Sequence, residues 1–196
     1  MNQPSTRDLR LATIGALAQR LGGGMGRTAL MKLIYFLQVL KKLPLGYSFR
    51  LYTYGPFDAQ VLEDLKVAEM KGLVQSAVFS YPGGYGYAIS PRYHAESSPG
   101  VGLSAPEATR FRQEGLAAYE EALDWVVREF GQRSALDLEM ASTIVYVDRA
   151  TAAKQAQLSP AEIARKVEEI KPRLEFSRIE TEAESLKKRG LLIATI

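Results

Sequence analysis

The sequence of 196 residues contains no cysteine and a single histidine, His94. The lack of cysteine excludes disulfides, thiolate zinc sites, iron–sulfur clusters and a cysteine nucleophile. A lone histidine cannot build a histidine metal site, and as a general base it would need an orienting partner. Because His94 falls in a predicted loop, we interpret it as an ordinary surface residue. The composition therefore predicts a protein without a metal or another cofactor.

The chain also lacks a long apolar segment. Lysine and glutamine interrupt its apolar runs, and none approaches the roughly 20 residues that span a bilayer. Residues 1–10 are polar and charged, so they do not read as a secretory signal. These features predict a protein of the reducing cytoplasm with no membrane partner.

Charge is nearly balanced, with 25 Lys and Arg against 22 Asp and Glu, but it is unevenly placed. Residues 1–100 hold 11 of the basic and 6 of the acidic side chains, which leaves 14 and 16 for residues 101–196. Chance variation between two solvated surfaces is the simpler interpretation. The alternative is that the first half of the chain meets an anionic partner.

Apolar periodicity and turn residues predict the elements of the first half. Apolar stripes at helical spacing predict three helices, over residues 7–21, 27–42 and 58–71. Alternating β-prone residues predict three strands, over residues 49–54, 73–81 and 85–90. Asp58 is the predicted cap of the third helix, and Gly55-Pro56 is predicted to end the first strand. Helices followed by a two-stranded hairpin are typical of a winged-helix variant.

The second half is predicted to be helical, after a linker rich in Pro, Ser and Gly over residues 91–105. Ser134 is a predicted helix cap, and three capping boxes begin at Ser104, Ser159 and Ser177. The predicted helices cover residues 106–130, 135–149, 160–170 and 178–189, and a closing strand is predicted over 191–194. The whole pattern predicts an α+β, mainly helical fold. It would have two winged-helix-like units, 1–100 with the hairpin and 101–196, joined by the long helix over 106–130.

The winged helix is a frequent DNA reader, so the charge of the predicted recognition helices bears on function. The helix over 58–71 carries four acidic and two basic residues, and the helix over 178–189 carries three acidic and four basic ones. Neither resembles a strong phosphate-binding stripe. The candidate contacts to duplex DNA are Arg178, Lys187, Lys188 and Arg189.

Tyrosine is concentrated in the first half, where eight of the ten tyrosines lie before residue 100. Strand propensity and core packing explain many of them. Alternation nevertheless places some on the solvent face of a small sheet, where tyrosine favours a protein partner through its large contact area and polar tip. The candidate contacts to a protein partner are Tyr81, Tyr85 and Tyr87, all on the predicted hairpin.

Three carboxylates, Asp58, Glu63 and Asp64, are close in sequence and could hold magnesium through oxygen ligands. Their spacing does not require a metal, and carboxylates on a helix face are usually solvated. A carboxylate-dependent enzyme acting with magnesium is therefore a third hypothesis, behind two non-catalytic ones.

A helix with the pattern K-L-x-Y-F is followed by a Y-G-P turn, and this combination resembles the SocA-like antitoxin family, also called Panacea, and the YwgA-like bacterial proteins. The clear resemblance covers about residues 27–75, and segments 141–144 and 170–172 look more like the YwgA-like group. The positions that match the family pattern are Lys32, Tyr35, Phe36, Tyr54, Gly55, Pro56 and Phe57.

The resemblance implies a non-catalytic protein of bacterial or phage origin, because Panacea domains neutralise toxins through protein contacts. For the matching positions we expect structural roles: Tyr35 and Phe36 would pack in the core, and Gly55-Pro56 would set the strand-to-helix turn. The leading hypothesis is an antitoxin-like or adaptor module that binds a partner protein, a toxin in the antitoxin case, with its first unit. The long helix would join the units or form a homodimer. The alternative is a winged-helix transcription regulator that binds duplex DNA.

Overall fold

A computed structural model describes residues 5–81, 84–92 and 116–196. The contacts divide the chain into two compact units: unit 1 consists of Met1–Phe49 and Asp58–Arg133, and unit 2 consists of Arg50–Phe57 and Ser134–Ile196. This division differs from the predicted boundary at residue 100, because the short segment 50–57 packs with the C-terminal helices. His94, the linker from residue 93 onward and the capping box at Ser104 lie outside the described residues.

The fold is α+β and mainly helical, with two small antiparallel sheets, which confirms the predicted class. Unit 1 contains α1 (Thr6–Arg20), α2 (Arg27–Leu40), α3 (Ala59–Met70), β3 (Val74–Tyr81), β4 (Gly84–Pro91), a 3-10 turn (Ala117–Tyr119) and α4 (Glu120–Phe130). Unit 2 contains β1 (Arg50–Tyr52), β2 (Gly55–Phe57), α5 (Ala135–Ala152), α6 (Pro160–Ile170) and α7 (Phe176–Lys188). Residues 106–115 of the predicted long helix lie outside the described residues, and α4 begins only after the 3-10 turn.

Helix α2 is the centre of the unit 1 core. All of its residues from Leu30 to Leu37 are buried, so the apolar stripe predicted from the sequence extends around the helix. Its Phe36 ring stacks on Phe130 of α4, with the ring centroids 4.1 Å apart. Burying each large apolar side chain stabilises the fold by about 1.5–3 kcal/mol, so this contact between distant segments holds α4 against the N-terminal helices.

Asp58 caps α3, as predicted, and also links the two ends of segment 50–57, which belongs to unit 2. Its carboxylate accepts hydrogen bonds from the N–H of Gln60 at 2.9 Å and from the N–H of Ser48 at 2.6 Å. Ser48 and Asp58 flank segment 50–57 on either side. One side chain therefore fixes the points at which the chain leaves unit 1 and returns to it.

In unit 2 the strand predicted over residues 49–54 is shorter and consists of β1 alone. Gly55-Pro56, which was predicted to end that strand, begins a second strand, β2. β2 pairs antiparallel with β1, with Arg50 opposite Phe57 and Tyr52 opposite Gly55. Gly55 has a φ of +84°, a conformation that glycine adopts without the steric strain of a Cβ. The glycine thus reverses the chain where sequence analysis predicted that the strand would stop.

The predicted caps at Ser134 and Ser159 are confirmed. The Ser134 hydroxyl accepts from the N–H of Asp137 at 3.1 Å. Ser159 and Glu162 form the full capping box at the start of α6. There the Ser159 N–H and hydroxyl donate to the Glu162 carboxylate, and these bonds lower the pKa of that carboxyl.

Two predictions for the C-terminal region are wrong. The capping box at Ser177 does not form: α7 begins at Phe176 with Glu175 as its cap residue, and the Ser177 hydroxyl donates to the Glu175 carboxylate. The strand over 191–194 is also absent, and an isolated bridge joins Leu158 and Thr195. In the second case the N–H groups that a strand would pair are taken by a buried carboxylate, Asp148, which accepts from Ile193 and Ala194.

No helix among the described residues combines the length and the apolar character that crossing a membrane requires.

Candidate functional site

Three of the exposed large apolar side chains in the described part of unit 1 lie on the β3–β4 hairpin: Val78, Phe79 and Tyr85. The two strands pair antiparallel over their whole length, with Val74 opposite Pro91 and Tyr81 opposite Gly84. Near its base, Val74 and Ile89 are buried in the core of unit 1. Farther along, Val78 and Tyr85 are each 64% exposed. We call residues 77–81 and 84–88 the hairpin tip.

Aromatic rings cover the hairpin tip. The Tyr85 and Tyr87 rings meet edge to face with their centroids 5.9 Å apart. Phe79 is 48% exposed, and its ring lies over Gly86 on the opposing strand, where a Cβ would fall 2.6 Å from Phe79 Cζ. Glycine at position 86 therefore allows the phenyl ring to lie flat on the backbone, in a position that still faces solvent.

The structure brings together two of the three predicted protein contacts. Tyr85 and Tyr87 are neighbours on one face of β4, and the guanidinium of Arg27 lies 3.4 Å from the Tyr87 ring centroid. This cation–π contact ties the inner side of the tip to the first turn of α2. Tyr81 ends β3, and its side chain is outside those described. Phe79 and Val78 share the tip but were missed by sequence analysis.

The sequence does hold a signal for this surface. Segment 74–91 contains no charged residue, whereas Lys71 and Arg92 stand just outside it. Solvent-exposed strands normally carry charged side chains, above all lysine. An uncharged segment that the fold leaves exposed marks a surface suited to contact with another macromolecule.

The matching positions of the family pattern are divided between the two units. Lys32, Tyr35 and Phe36 are buried on α2 in unit 1, which agrees with the core role expected for the two aromatic residues. The remaining four positions belong to the β1–β2 hairpin of unit 2, where Gly55 and Pro56 are buried and Tyr54 is exposed. These are the positions Tyr54, Gly55, Pro56 and Phe57.

A buried charged cluster in unit 2 holds the turn that carries Tyr54. Lys171 donates hydrogen bonds to the carbonyls of Tyr52, at 2.7 Å, and of Thr53. Its Nζ also lies 3.5 Å from the Glu139 carboxylate, which Arg173 contacts as well. Sequence analysis included Lys171 only as part of segment 170–172 in the family resemblance. The burial of its ammonium comes from tertiary packing.

The four predicted nucleic-acid contacts do not form a continuous basic surface. Arg178 lies in the first turn of α7 and pairs with Asp137 at 3.0 Å. Lys187, Lys188 and Arg189 are at the other end of the same helix, where they complement the helix dipole. A rise of about 1.5 Å per residue separates the two ends by more than two helical turns. The arrangement therefore lacks the row of free cations that a phosphate backbone requires.

The three carboxylates considered for magnesium have separate functions. Asp58 caps α3, and Glu63 pairs with Lys66 at 2.8 Å. Asp64 is buried and accepts a hydrogen bond from the Tyr47 hydroxyl at 2.9 Å. Within residues 5–81, 84–92 and 116–196, no three His, Asp or Glu side chains are grouped as a metal site would need.

Asp64 and Tyr47 belong to a buried polar cluster of unit 1. Arg10 stacks over the Tyr47 ring at 4.3 Å, donates to the carbonyls of Leu45 and Gly46, and lies 3.7 Å from Asp64. Burial, and then the adjacent Asp64 carboxylate, raise the pKa of Tyr47 well above its ordinary value. Tyr47 therefore stays a neutral donor and does not suit the role of a general base.

No protein-family model matches the chain, and no curated protein matches it in sequence.

Proposed function

We propose that this protein is a non-catalytic interaction module, of the antitoxin-like or adaptor kind, that binds a partner protein with the faces of its hairpin tip. The observation that carries the proposal is the exposure of Val78, Phe79 and Tyr85 on an uncharged hairpin. Aromatic side chains such as Phe79 and Tyr85 are enriched in the cores of protein interfaces, and tyrosine is among the residues that contribute most binding energy there. The resemblance of α2 and the Tyr54-Gly55-Pro56 turn to antitoxins makes a toxin the first partner to test.

The chemistry of the tip favours a protein over a nucleic acid. Aromatic side chains can stack on single-stranded bases, but such sites combine the rings with a positively charged groove. Among the described residues, Arg27 is the only cation that stacks on a ring of the hairpin tip, and the ring that it contacts is that of Tyr87. The partner surface that best complements the tip is therefore apolar and weakly charged.

We also propose that unit 1 is a winged-helix variant in which the hairpin takes the position of the wing. The order of α1, α2, α3 and the β3–β4 hairpin supports this proposal. In a DNA-binding winged helix, α3 would be the recognition helix, yet α3 is capped by Asp58 and its Lys66 is paired with Glu63. The transcription-regulator alternative thus has less support than a protein-binding role.

The proposed function is tested by affinity capture from lysate of the source organism with three forms of the chain. Tyr85→Lys places a charge on the tip, and Ile193→Lys is a matched control, because Ile193 in unit 2 is 61% exposed. We expect a protein that the unchanged chain and Ile193→Lys retain and that Tyr85→Lys loses. Binding of that purified protein by calorimetry should repeat the pattern. Equal retention by all three forms would contradict the proposal.

Duplex DNA provides the opposing measurement. We expect no binding to random duplex at low salt. Tight binding that weakens steeply with salt would indicate neutralisation of phosphates and support the alternative. In that case Lys187→Glu and Lys188→Glu should reduce the salt dependence, whereas Tyr85→Lys should leave it unchanged.

A further inference from the structure

Among the described residues, the β3–β4 ribbon has one covered edge and one edge without hydrogen-bonded neighbours, which we call the open edge. On the outer edge of β4, Ile89 exchanges two backbone hydrogen bonds with Met25, at 2.8 and 3.3 Å. The hydrogen bond from the Arg92 N–H to the Leu73 carbonyl shows that the backbone carbonyl of Leu73, just before β3, points toward the β4 side of the ribbon. Because ladder pairs alternate, the backbone groups of the even-numbered residues point away from β4. These residues are Val74, Ser76, Val78 and Ser80.

β3 lacks the charged side chains, proline and bulges that protect many natural edge strands. β3 is eight residues long and contains no lysine, no other charge and no proline. No bulge interrupts its register with β4. Among the described residues, no backbone hydrogen bond reaches the even-numbered positions of β3 from outside the ribbon. A long, regular and uncharged edge is a template for another strand, and a two-stranded ribbon alone is marginally stable in water.

We propose that the open edge of β3 pairs antiparallel with β3 of a second copy of this chain, about a two-fold axis at Val78. The two ribbons then form one four-stranded sheet in the order β4–β3–β3–β4. The pairing uses the edge of the ribbon, whereas the proposed function uses its faces. The dimer therefore places two hairpin tips side by side and leaves their faces available to a partner protein.

The side chains of β3 are complementary to themselves in this register. Val78 lies opposite Val78 of the second copy, and Ser76 lies opposite Ser80. On the other face, the small side chain of Ala77 lies opposite the large ring of Phe79. Hydroxyl side chains that hydrogen bond across two strands stabilise cross-strand pairing. A two-fold interface must be self-complementary, and the lack of charge over segment 74–91 means that no like charges face each other.

The Ser76 hydroxyl provides independent support. Its Oγ is shielded from solvent and has no hydrogen-bond partner within the described part of the chain. Buried polar groups are nearly always satisfied in native structures. Pairing about Val78 brings Ser80 of the second copy opposite Ser76 on the same face of the sheet and so supplies a second hydroxyl beside it. A hydrophobic edge from an unrelated protein would leave this hydroxyl unsatisfied.

Charge reversal at the axis tests the proposal. We expect the unchanged chain to sediment as a dimer, with a dimer dissociation constant that Val78→Lys and Val78→Glu each raise about tenfold or more. An equimolar mixture of the two variants should restore the dimer, because lysine then lies opposite glutamate. Val78 is exposed, so each variant should keep the circular dichroism spectrum of the unchanged chain. Tyr85→Lys, on the other strand, should remain dimeric.

The absence of cysteine allows a second readout. Val78→Cys should give an intermolecular disulfide on mild oxidation, and Tyr85→Cys should not. A monomer at all concentrations, a dimer that Val78→Lys leaves intact, or a mixture of charge variants that stays monomeric would each overturn the proposal. The two proposals are tested separately. If Tyr85→Lys loses the partner protein but remains dimeric, the loss supports the proposed function and is not caused by dissociation of the dimer.

Discussion

Lys171 Nζ lies 3.5 Å from Glu139 Oε1 in unit 2, and both side chains are almost completely withdrawn from solvent. Lys171 also bonds the carbonyls of Tyr52 and Thr53, and Arg173 contacts the other oxygen of Glu139. A buried charge that loses its partner is strongly destabilising, because its desolvation is no longer compensated. The β1–β2 hairpin is therefore held to unit 2 by a cluster whose members depend on one another.

Replacement of this lysine should be among the most damaging single changes in unit 2. We expect Lys171→Met to lower the free energy of unfolding by about 3–5 kcal/mol, since it removes one of the two cations at the buried Glu139 and leaves the carbonyls of Tyr52 and Thr53 without their donor. Urea unfolding followed by circular dichroism measures the change. Tryptophan fluorescence is less suitable for unit 2, because the single tryptophan, Trp125, lies in unit 1. Lys66→Met, which breaks an exposed pair, should cost less than about 1 kcal/mol. Similar losses for the two variants would contradict the prediction.

A buried carboxylate should hold the C-terminal residues in place. Asp148 accepts from the N–H groups of Ile193 and Ala194 and from the Thr195 hydroxyl. We expect Asp148→Ala to reduce stability by about 1–3 kcal/mol and to accelerate amide hydrogen exchange at Ile193 and Ala194. Thr195→Val removes only the hydroxyl bond and should have a smaller effect. Unchanged exchange at both amides in Asp148→Ala would show that other contacts hold this segment.

Gly131 should be required for close packing after α4. A Cβ at this position would lie 2.5 Å from the Val127 carbonyl oxygen and 2.8 Å from Leu21 Cδ2. We expect Gly131→Ala to destabilise unit 1 by about 1–3 kcal/mol, as overpacking does elsewhere. Fluorescence of Trp125 during urea unfolding monitors the change. Gly26→Ala is the control, because a Cβ there meets only the Tyr87 carbonyl at 3.7 Å. Equal effects of the two substitutions would refute the steric explanation.

Stability should fall at alkaline pH through Tyr47. Burial and the Asp64 carboxylate raise the pKa of this phenol in the folded state above its ordinary value of 10.0. Below pH 10 both states are protonated and the contribution of Tyr47 is fully present. Above it, the unfolded state releases a proton that the folded state keeps, so stability is lost as pH rises. Urea midpoints between about pH 8 and 11 should fall more steeply for the unchanged chain than for Tyr47→Phe. Parallel curves would exclude this linkage.

Local signals predicted most of the described helices and the β3–β4 hairpin, and they failed where distant residues decide the structure. The apolar stripe of α2 and the side chains of Asp58, Ser134 and Ser159 identified helices correctly. Gly55 looked like a terminator because glycine ends strands as readily as it reverses them. The strand expected near Ile193 is absent because Asp148, 45 positions earlier, takes its N–H group.

The residues of the hairpin tip were predicted from the sequence only in part. Tyr85 and Tyr87 were named as candidate contacts, but alternation alone does not predict that they face solvent, because both lie on the same face of β4 as the buried Ile89. The exposure of Phe79 and Val78 could not be predicted either, because apolar strand residues are ordinarily assigned to a core. The burial of Lys171 was likewise beyond local reasoning, since its carbonyl partner Tyr52 is 119 residues away in the sequence.

The assignment of segment 50–57 to unit 2 has a consequence for synthesis on the ribosome. Tyr52 leaves the exit tunnel long before Lys171 has been translated, as 119 positions separate them. Until then, the carbonyls at the β1–β2 turn have only water to bond, and Gly55 and Pro56 lack their packing partners. A nascent chain that stalls after Arg133 would contain every described helix and strand of unit 1. It would also contain segment 50–57 of unit 2 without the helices against which that segment packs. The second unit can therefore assemble only after Lys171 has been translated.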